Sequence, residues 1–368
     1  MNSRYIDNWQ RTRERFVCWW NRQPMDYPLM QITAAGKEPA QVFAEEPFTD
    51  LADQSENVEK LLARRRNFFE THWFLEDAYP SFDMNFGPGS LALYIGSEPI
   101  FAPDTLWYKA DMKDIRDTGR LAFDPENRWW AKHLSMHKRA QALAGGDFLV
   151  NIPDLVEGMD ILSALRGPQE LCFDMMDDPD GVTAAVDMID NLYFRYYDAM
   201  YDVVKAADGS SSFTAFAVWG PGKTAKIQCD FNALMSPDQF RTFAVPGLRK
   251  QCQILDNSVF HLDGPDTIKH IPALMEIKEL DALQWTCGAG QPDGGNEKWY
   301  PIYDQVRAAG KSLWIAVSDG GPGDWVQSAL RIVKRYGKDC LYFIFPAFES
   351  RAQAEGAVAA IQNACRGL

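Results

Sequence analysis

The pattern that most constrains the fold is a regular alternation of short apolar runs and helical segments. From about residue 140, each apolar run is followed by a helix-type segment. The runs are DFLVNIPD (147–154), FTAFAVWG (213–220), NSVFHLDG (257–264), DALQWTC (281–287), KSLWIAVSD (311–319) and CLYFIFP (340–346). Nearly continuous apolar strands separated by helices are typical of parallel sheets that are covered on both faces. The alternation therefore predicts an α/β fold.

The number of units favours a (β/α)₈ TIM-type barrel over an open sheet. A doubly wound sheet is the alternative, but the Gly-rich first βα turn of that fold is missing. We predict one domain over residues 1–368, with a helical and loop-rich N-terminal elaboration over 1–79 and the barrel over 80–368. PSFDMNFGPG (80–89) supplies an early strand.

Charge and cysteine usage narrow the class of protein. The net charge of -14 argues against nucleic-acid binding, which needs a basic surface. Seven cysteines are scattered without a CxxC pair, as expected in a reducing compartment. The N-terminus has no apolar signal-peptide core, and no apolar run approaches the length of a membrane span. We therefore predict a cytoplasmic protein. Arg64, Arg65 and Arg66 lie in a helical pattern and are predicted to form a solvated helix face.

Candidate site residues follow from position, because barrel enzymes react at the carboxyl ends of their strands. The residues at or just after the predicted strand ends are Asn85, Asp154, Trp219, His261, Asp263, Trp285, Cys287 and Asp319. Asp230 lies in KIQCDFNALMSPDQF, in an extended loop before a helix that begins at Ser236 and Pro237. Asp230 either takes part in the pocket or caps backbone groups of the nearby chain.

The segment HLDG carries the most chemistry. His261 and Asp263 are two residues apart on a strand and therefore share a face. They form a general acid/base or binding pair, or part of a metal site with Cys287 as third ligand. The structural alternative is a buried, hydrogen-bonded histidine followed by a turn.

The order of these segments resembles the uroporphyrinogen decarboxylase superfamily, over roughly residues 80–365. That superfamily includes the decarboxylase and zinc-dependent methyltransferases that move methyl groups between corrinoids and thiols. The segments with this resemblance are NFGPGSLALYIG, LVNIPDLVEGMDILSALRGPQEL, IQCDFNALMSPDQFRTFAVPGLRK, FHLDG, LWIAVSDGGPGD and LYFIFPAFES. The resemblance implies a TIM-type barrel and a homodimer.

Carried over residue by residue, the resemblance favours the methyltransferases. Asn85 stands where the decarboxylase has an Asp that binds pyrrole N–H groups, and the decarboxylase's Arg-rich N-terminal segment has no counterpart. His261 matches the first zinc ligand of the methyltransferases, and Asp263 replaces a Cys. Their late zinc-binding Cys has no counterpart in FIFPAF.

The resemblance thus implies a divergent methyltransferase-type enzyme that acts on a small, neutral or cationic methylated compound, with a corrinoid protein as candidate partner. His261, Asp263 and Asp230 would be catalytic. The residues expected to bind substrate are Asn85, Asp154, Trp219, Trp285 and Asp319. A zinc site of His261, Asp263 and Cys287 stays open. The alternatives are a decarboxylase-like lyase and a non-catalytic protein that binds a small ligand or a corrinoid partner.

Overall fold

The computed structural model describes residues 1–367 and has a mixed α/β fold with a parallel central sheet. The α-helices are α1 (Trp9–Trp20), α2 (Leu51–Glu56), α3 (Val58–Thr71), α4 (Leu91–Tyr94), α5 (Arg128–Ala144), α6 (Gly158–Arg166), α7 (Pro168–Asp177), α8 (Pro179–Val204), α9 (Pro237–Gln239), α10 (Val245–Ile254), α11 (Ile271–Met275), α12 (Tyr300–Ala308), α13 (Pro322–Tyr336) and α14 (Arg351–Cys365). The strands are β1 (Leu29–Ala35), β2 (His72–Glu76), β3 (Ser81–Phe82), β4 (Pro99–Phe101), β5 (Leu106–Tyr108), β6 (Leu149–Val150), β7 (Ser211–Phe213), β8 (Val218–Gly220), β9 (Thr224–Gln228), β10 (Asn257–Asp263), β11 (Ala282–Thr286), β12 (Ser312–Ala316) and β13 (Leu341–Ile344).

The central sheet has the strand order β2-β1-β13-β12-β11-β10-β9. Every neighbouring pair is parallel except β1 with β2. Strands β3 and β6 form a separate parallel pair, whereas β4–β5 and β7–β8 are antiparallel hairpins. The predicted α/β class is confirmed, but strand pairing within residues 1–367 does not close a barrel.

One predicted strand was misplaced. FTAFAVWG (213–220) contributes to the hairpin β7–β8, whose turn includes Ala217 at a positive φ of 49°. The strand that joins the sheet is β9, TAKIQ, in a stretch predicted to be a loop. The inward positions of β9 include Lys226 and Gln228, so the strand lacks the continuous apolar character used to identify its neighbours.

The prediction of a helical and loop-rich segment over 1–79 was incomplete. Strand β1 lies in that segment and pairs in parallel with β13, the last strand of the chain. Strand β2 then returns antiparallel along the other edge of β1. The short, partly polar sequences LMQITAA and HWFLE gave little strand signal, yet they are integral to the sheet.

Helix α1 covers the amino ends of the strands. The Trp19 carbonyl accepts a 2.9 Å hydrogen bond from the Ser312 hydroxyl at the start of β12. The Trp20 indole donates to the Trp219 carbonyl at 2.8 Å. The side chains of α1 pack with Trp314, Tyr342 and the hairpin β7–β8 in one buried cluster. This apolar filling leaves the opposite ends of the strands for polar groups. No helix within residues 1–367 is both long and apolar enough to cross a membrane.

A buried ion pair fastens α1 to the sheet. The Arg15 guanidinium donates to both oxygens of Asp77, at 2.7 and 3.1 Å. Asp77 is fully buried and also accepts from the Met30 N–H of β1 at 2.9 Å. The same guanidinium donates to the Pro28 carbonyl at 2.7 Å. One carboxylate therefore connects the helix, the first strand and the chain that leads into β3.

We predict that Asp77→Asn lowers the free energy of unfolding by about 3 kcal/mol, because the change leaves the Arg15 charge buried without its counter-ion. Urea denaturation followed by circular dichroism measures the effect. Asp202→Asn, which breaks the exposed Lys205–Asp202 pair, is the matched control and should leave the midpoint unchanged. Equal midpoints for Asp77→Asn and the control would contradict this role.

Candidate functional site

A pocket of about 500 Å³ lies between the carboxyl end of β9 and the hairpin β4–β5. Its apolar wall includes Leu106, Trp107, Tyr108, Val156 and Phe231, and its polar wall is formed by Asp160, Ser163, Gln228 and Asp230. Among the described residues that line this pocket, Asp160 and Asp230 are the only charged side chains. The pocket is therefore acidic on one side and largely apolar on the other.

Asp160 organises the acidic wall. It lies in the first turn of α6, where the Glu157 side chain caps the helix. Its carboxylate accepts from the Phe231 N–H at 2.8 Å and the Asp230 N–H at 2.9 Å. The Gln228 side-chain amide donates to Asp160 at 3.1 Å and to Asp230 at 2.8 Å. One amide thus holds two carboxyl groups next to each other.

The two carboxyl groups shift toward the protonated form. Desolvation, followed by the negative charge of Asp160, raises the pKa of Asp230 to about 7, although part of Asp230 remains exposed. Burial also raises the pKa of Asp160, against the hydrogen bonds that it accepts. The pair can therefore hold or release a proton near neutral pH, which suits general acid/base chemistry.

Lys226 and Asp154 form a buried ion pair behind this wall. Lys226 Nζ lies 2.6 Å from Asp154 Oδ2, and both side chains are almost fully buried. The ammonium also donates to Gln228 Oε1. Because that oxygen is occupied, the amide NH₂ of Gln228 faces Asp160 and Asp230. The ion pair thus sets the orientation of the pocket's central amide.

His261 lies on β10 in register with Gln228 of β9. Its Nδ1 contacts Gln284 Oε1, and the Gln284 amide donates to Thr286 Oγ1 at 2.9 Å. Because Gln284 presents its oxygen, Nδ1 carries the proton and Nε2 has the lone pair in the neutral ring. Desolvation, followed by the charge of Lys226, lowers the pKa of His261. A neutral histidine with a free Nε2 is available as a base or an acceptor.

Asp263 is exposed two residues beyond His261 on β10. Its negative charge partly opposes the lowering of the His261 pKa and contributes to the raised pKa of Asp230. The structure therefore brings these three predicted catalytic residues into one electrostatic neighbourhood.

A second cavity of about 310 Å³ shares Pro88, Thr105 and Leu106 with the first. Asn85 and Asp83 line it. Asn85 Oδ1 is buried and, within residues 1–367, receives no hydrogen-bond donor. The same holds for Oδ1 of the buried Asp154. Because Asn85 lines this cavity, its oxygen can accept a hydrogen bond from a ligand, whereas Asp154 lines neither cavity.

Arg65 is largely desolvated rather than forming part of the predicted solvated helix face. Its Nε donates to the Ser81 carbonyl at 2.8 Å, and desolvation lowers its pKa to about 10. Burial, with the charge of Asp154, raises the pKa of Asp83 to about 6, whereas the charge of Arg65 opposes this rise. The prediction of a solvated face is therefore wrong for the central arginine, because its guanidinium lies against the Phe68 and Phe69 rings.

Of the predicted site residues, Asn85 and Asp230 line these two cavities, whereas His261, Asp263, Asp154 and four others do not. Trp219 is buried among α1 side chains and stacks edge-on with Phe16 and Trp9. Trp285 faces away from His261 on the outer side of the sheet and packs on Trp299 at 5.1 Å. Asp319 accepts from the Asp293 N–H at 2.8 Å in an exposed loop. Cys287 is half-buried near these two aspartates, and desolvation with their charge raises its pKa to about 12.

The three expected zinc ligands are not grouped within 4.8 Å of one another among the described residues. In the part of the chain that the structure describes, the one group of three potential ligand atoms within 4.8 Å of each other is Glu157, Asp160 and Cys229. His261, Asp263 and Cys287 form no such group, and the Lys226 charge next to His261 disfavours a second cation.

The Glu157 group fits a metal poorly as well. Both Glu157 oxygens accept backbone N–H groups of α6, and burial raises the pKa of Glu157 well above its ordinary value. Burial likewise raises the pKa of the Cys229 thiol. Protonated ligands with occupied oxygens bind divalent metals weakly.

Comparison with known proteins gives a fold but no family. No family model matches the chain, and no curated protein matches it by sequence. Among solved structures, a methyltransferase from Methanosarcina mazei is similar, with a TM-score of 0.57 and 15% sequence identity. The alignment covers 96% of this chain and 98% of that chain. At this identity the likeness establishes a methyltransferase-like fold alone.

The raised pKa of Asp230 predicts that the stability of the folded protein depends on pH. Its pKa is about 7 in the folded protein and ~4 in an unfolded chain, so the folded state binds more protons between these values. The Asp230 contribution to the free energy of unfolding therefore falls as pH rises from about 4 to 7. We expect Asp230→Asn to be more stable than the wild type at pH 8 by roughly 1 kcal/mol, because solvent screens part of the effect.

Urea denaturation at pH 4.5 and pH 8 tests this expectation, with Asp238→Asn at an exposed helix start as control. The stabilisation should be absent at the lower pH and absent in the control. An Asp230→Asn protein that is less stable than wild type at pH 8 would show that the carboxylate is stabilising there.

Proposed function

We propose that this chain is a methyltransferase-like enzyme that binds a small methylated cation in the acidic pocket. One observation carries the proposal: the charged side chains that line the pocket are the adjacent carboxyl groups of Asp160 and Asp230. A carboxylate pair opposite aromatic side chains is suited to an ammonium or sulfonium group. The likeness to a methyltransferase fold is consistent with this chemistry.

The apolar wall would select the methylated part of the substrate. Tyr108 is fixed there by a 2.7 Å hydrogen bond from its hydroxyl to the Phe86 carbonyl. Trp107 is largely exposed, with 63% of its surface accessible. Aromatic faces attract cations and tolerate methyl groups, which hydrogen-bonding walls do not. Because Tyr108 is held in place, its ring would orient the methyl group rather than adapt to it.

The acceptor oxygens in and behind the second cavity favour a substrate with hydrogen-bond donors. Asn85 Oδ1 and Asp154 Oδ1 lack partners within the described residues, and Asn85 lines the cavity itself. A buried acceptor without a donor costs about 1–3 kcal/mol, which a bound N–H or O–H group would recover. Asn85 would thus bind a polar end of the substrate.

Proton transfer would be the task of Asp230 and His261. Asp230 holds a proton near neutrality and can give it to a leaving group or take it from an acceptor. His261 presents a neutral Nε2 that can deprotonate a thiol acceptor, with Asp263 stabilising the imidazolium that forms. A corrinoid carried by a partner protein would supply the methyl-accepting or methyl-donating cobalt. These roles require no metal at His261.

We further propose that the parallel strands form an open TIM-type barrel around this site. The support is the order in which β1, β3, β6 and β9–β13 follow one another. Strand β2 lies between β1 and β3 in the chain, and the hairpin β7–β8 lies between β6 and β9. A 2.9 Å hydrogen bond from the Ile152 N–H to the Ser212 carbonyl links the segment after β6 to that hairpin. The carboxyl ends of the strands would then converge on the pocket.

The decarboxylase-like alternative is less consistent with the pocket. A carboxylated substrate needs cationic groups, and no Arg or Lys lines the 500 Å³ pocket in the described part of the chain. The two pocket carboxyl groups would repel such a substrate. The lyase would therefore require a site elsewhere.

Binding and turnover of methylated cations test the proposal. We expect tetramethylammonium to bind in calorimetric titrations at pH 8, where Asp230 is mostly ionised, and Asp230→Asn to weaken binding at least fivefold because it removes a pocket charge. Transfer of a methyl group from methylated amines or trimethylsulfonium to free cob(I)alamin can be followed by absorbance. Asp230→Asn should lower kcat of this transfer about 100-fold or more, and His261→Asn should do the same for transfer from methylcobalamin to a thiol.

Asp238→Asn is the control for both measurements and should match the wild type. Tetramethylammonium binding without transfer from any donor would identify a non-catalytic binding protein instead. An absence of binding, with turnover of carboxylated compounds, would favour the lyase.

Zinc content separates this proposal from a thiol-activating zinc enzyme. Because Lys226 lies next to His261, we expect protein purified with zinc in the medium to retain none at this residue. Elemental analysis should give the same zinc content for wild type and His261→Ala. One zinc per chain that is lost in His261→Ala would contradict the site as described.

A further inference from the structure

A separate cavity of about 450 Å³ lies against the outer strand β2, between the N-terminal segment and the start of α14. Its lining includes Arg4, Tyr5, Lys37, Trp73 and Arg351. None of these residues lines the acidic pocket. The cavity is therefore a distinct site, and its chemistry does not depend on the proposed function.

Cations and aromatic rings alternate along this cavity. The Arg351 guanidinium lies 4.6 Å from the centre of the Trp73 ring, and the Lys37 ammonium lies 5.5 Å from the same ring. Lys37 is also 5.7 Å from the centre of the Tyr5 ring, over which Arg4 lies at 4.9 Å. We call the series Arg351, Trp73, Lys37, Tyr5 and Arg4 the cation ladder. Its rings hold three positive charges in a row.

The two ends of the cation ladder have carboxylate partners, but its centre has none. Arg4 pairs with Glu70 at 2.8 Å, and Arg351 pairs with Glu355 at 2.7 Å. The Arg351 pair is half-exposed and hence weak. Within the described residues, no carboxylate oxygen lies within 4.0 Å of Lys37 Nζ. The central cation is thus available to a ligand, in a protein with a net charge of -14.

The backbone favours an anion at the same place. Arg351 is the first residue of α14, a helix of 15 residues capped by Ser350. The amino end of a helix carries a partial positive charge that stabilises an anion within about one turn. Gly36, at a positive φ of 88°, forms the turn that brings Lys37 back toward β2, where the Lys37 N–H donates to the Thr71 carbonyl at 3.1 Å.

We propose that this cavity binds a small oxyanion, held by the Lys37 ammonium and the Arg351 guanidinium. A guanidinium matches carboxylate or phosphate oxygens in pairs, whereas an ammonium acts as a point charge. Asp7 lines the same cavity and opposes the anion. The cavity would therefore bind the anion moderately, and removing the Asp7 charge would tighten binding.

Calorimetric titration of the full chain with inorganic phosphate, and separately with succinate, tests the proposal at fixed ionic strength. We expect saturable binding of at least one anion with a millimolar Kd. Lys37→Gln should weaken it at least tenfold, and Arg351→Gln at least threefold. Asp7→Asn should strengthen it at least twofold. Lys278→Gln, at an exposed lysine elsewhere, is the control and should leave the Kd unchanged.

Preference for phosphate or succinate identifies which oxyanion chemistry the site accepts. Circular dichroism of each variant establishes that the fold is retained. Two results would overturn the proposal: no saturable binding of either anion to the wild type, or equal binding to wild type and Lys37→Gln.

Discussion

The buried ion pair of Lys226 and Asp154 is the interaction on which the geometry of the acidic pocket depends. Burying an ammonium is costly unless a counter-ion and further hydrogen bonds compensate. Asp154 supplies the counter-ion at 2.6 Å, and Gln228 supplies the acceptor. Because Lys226 occupies the Gln228 oxygen, the amide NH₂ of Gln228 is left to hold Asp160 and Asp230 together. Desolvation, together with the same positive charge, lowers the pKa of His261.

The fold creates room for this pair by filling the other end of the strands with apolar groups. Helix α1 and the hairpin β7–β8 contribute Trp19, Phe213 and Trp219 to a cluster that also contains Trp314 and Tyr342. On β9, polar groups begin immediately above this cluster, and Lys226 lies over the Phe213 ring at 5.5 Å. The boundary between apolar and polar halves therefore lies within a few residues of the ion pair. If the apolar cluster extended further along β9, the Lys226 ammonium would lie in an apolar core without its polar partners.

The sequence predicted the α/β class and much of the site's neighbourhood, but for reasons that differ between strands. Strands β10 to β13 are buried on both faces near their starts. Their sequences are therefore continuous apolar runs, and these runs identified them as strands. Strand β9 was missed because its inward residues are the polar Lys226 and Gln228, while the apolar run at 213–220 belongs to an interior hairpin. Trp219 was consequently assigned to a strand end, although it lies in the core.

Lys226, Gln228 and Asp160 were not predicted as site residues, and the first two of them do have a signal in the sequence. Together with the predicted Asp230 they recur with a period of two and run into the loop before Ser236, which is the spacing that placed His261 and Asp263 on one face of a strand. Asp160 gives no such signal, since an acidic residue in the first turn of a helix is ordinary capping chemistry. Its position beside Asp230 depends on the packing of α6 against the β9 loop, through the Phe231 and Asp230 amides.

The acidic pocket and the cation ladder carry charges of opposite sign, so they would attract ligands of opposite charge. The acidic pocket contains carboxyl groups whose raised pKa values limit their mutual repulsion, whereas the cation ladder relieves repulsion through aromatic rings. Both arrangements leave a charge incompletely compensated: a carboxyl pair held by one neutral amide, and Lys37 without a carboxylate among the described residues. Structural ion pairs elsewhere, such as Arg15 with Asp77, are instead matched donor for acceptor. Incomplete compensation is therefore the physical feature that distinguishes these two sites from the ion pairs that hold the fold together.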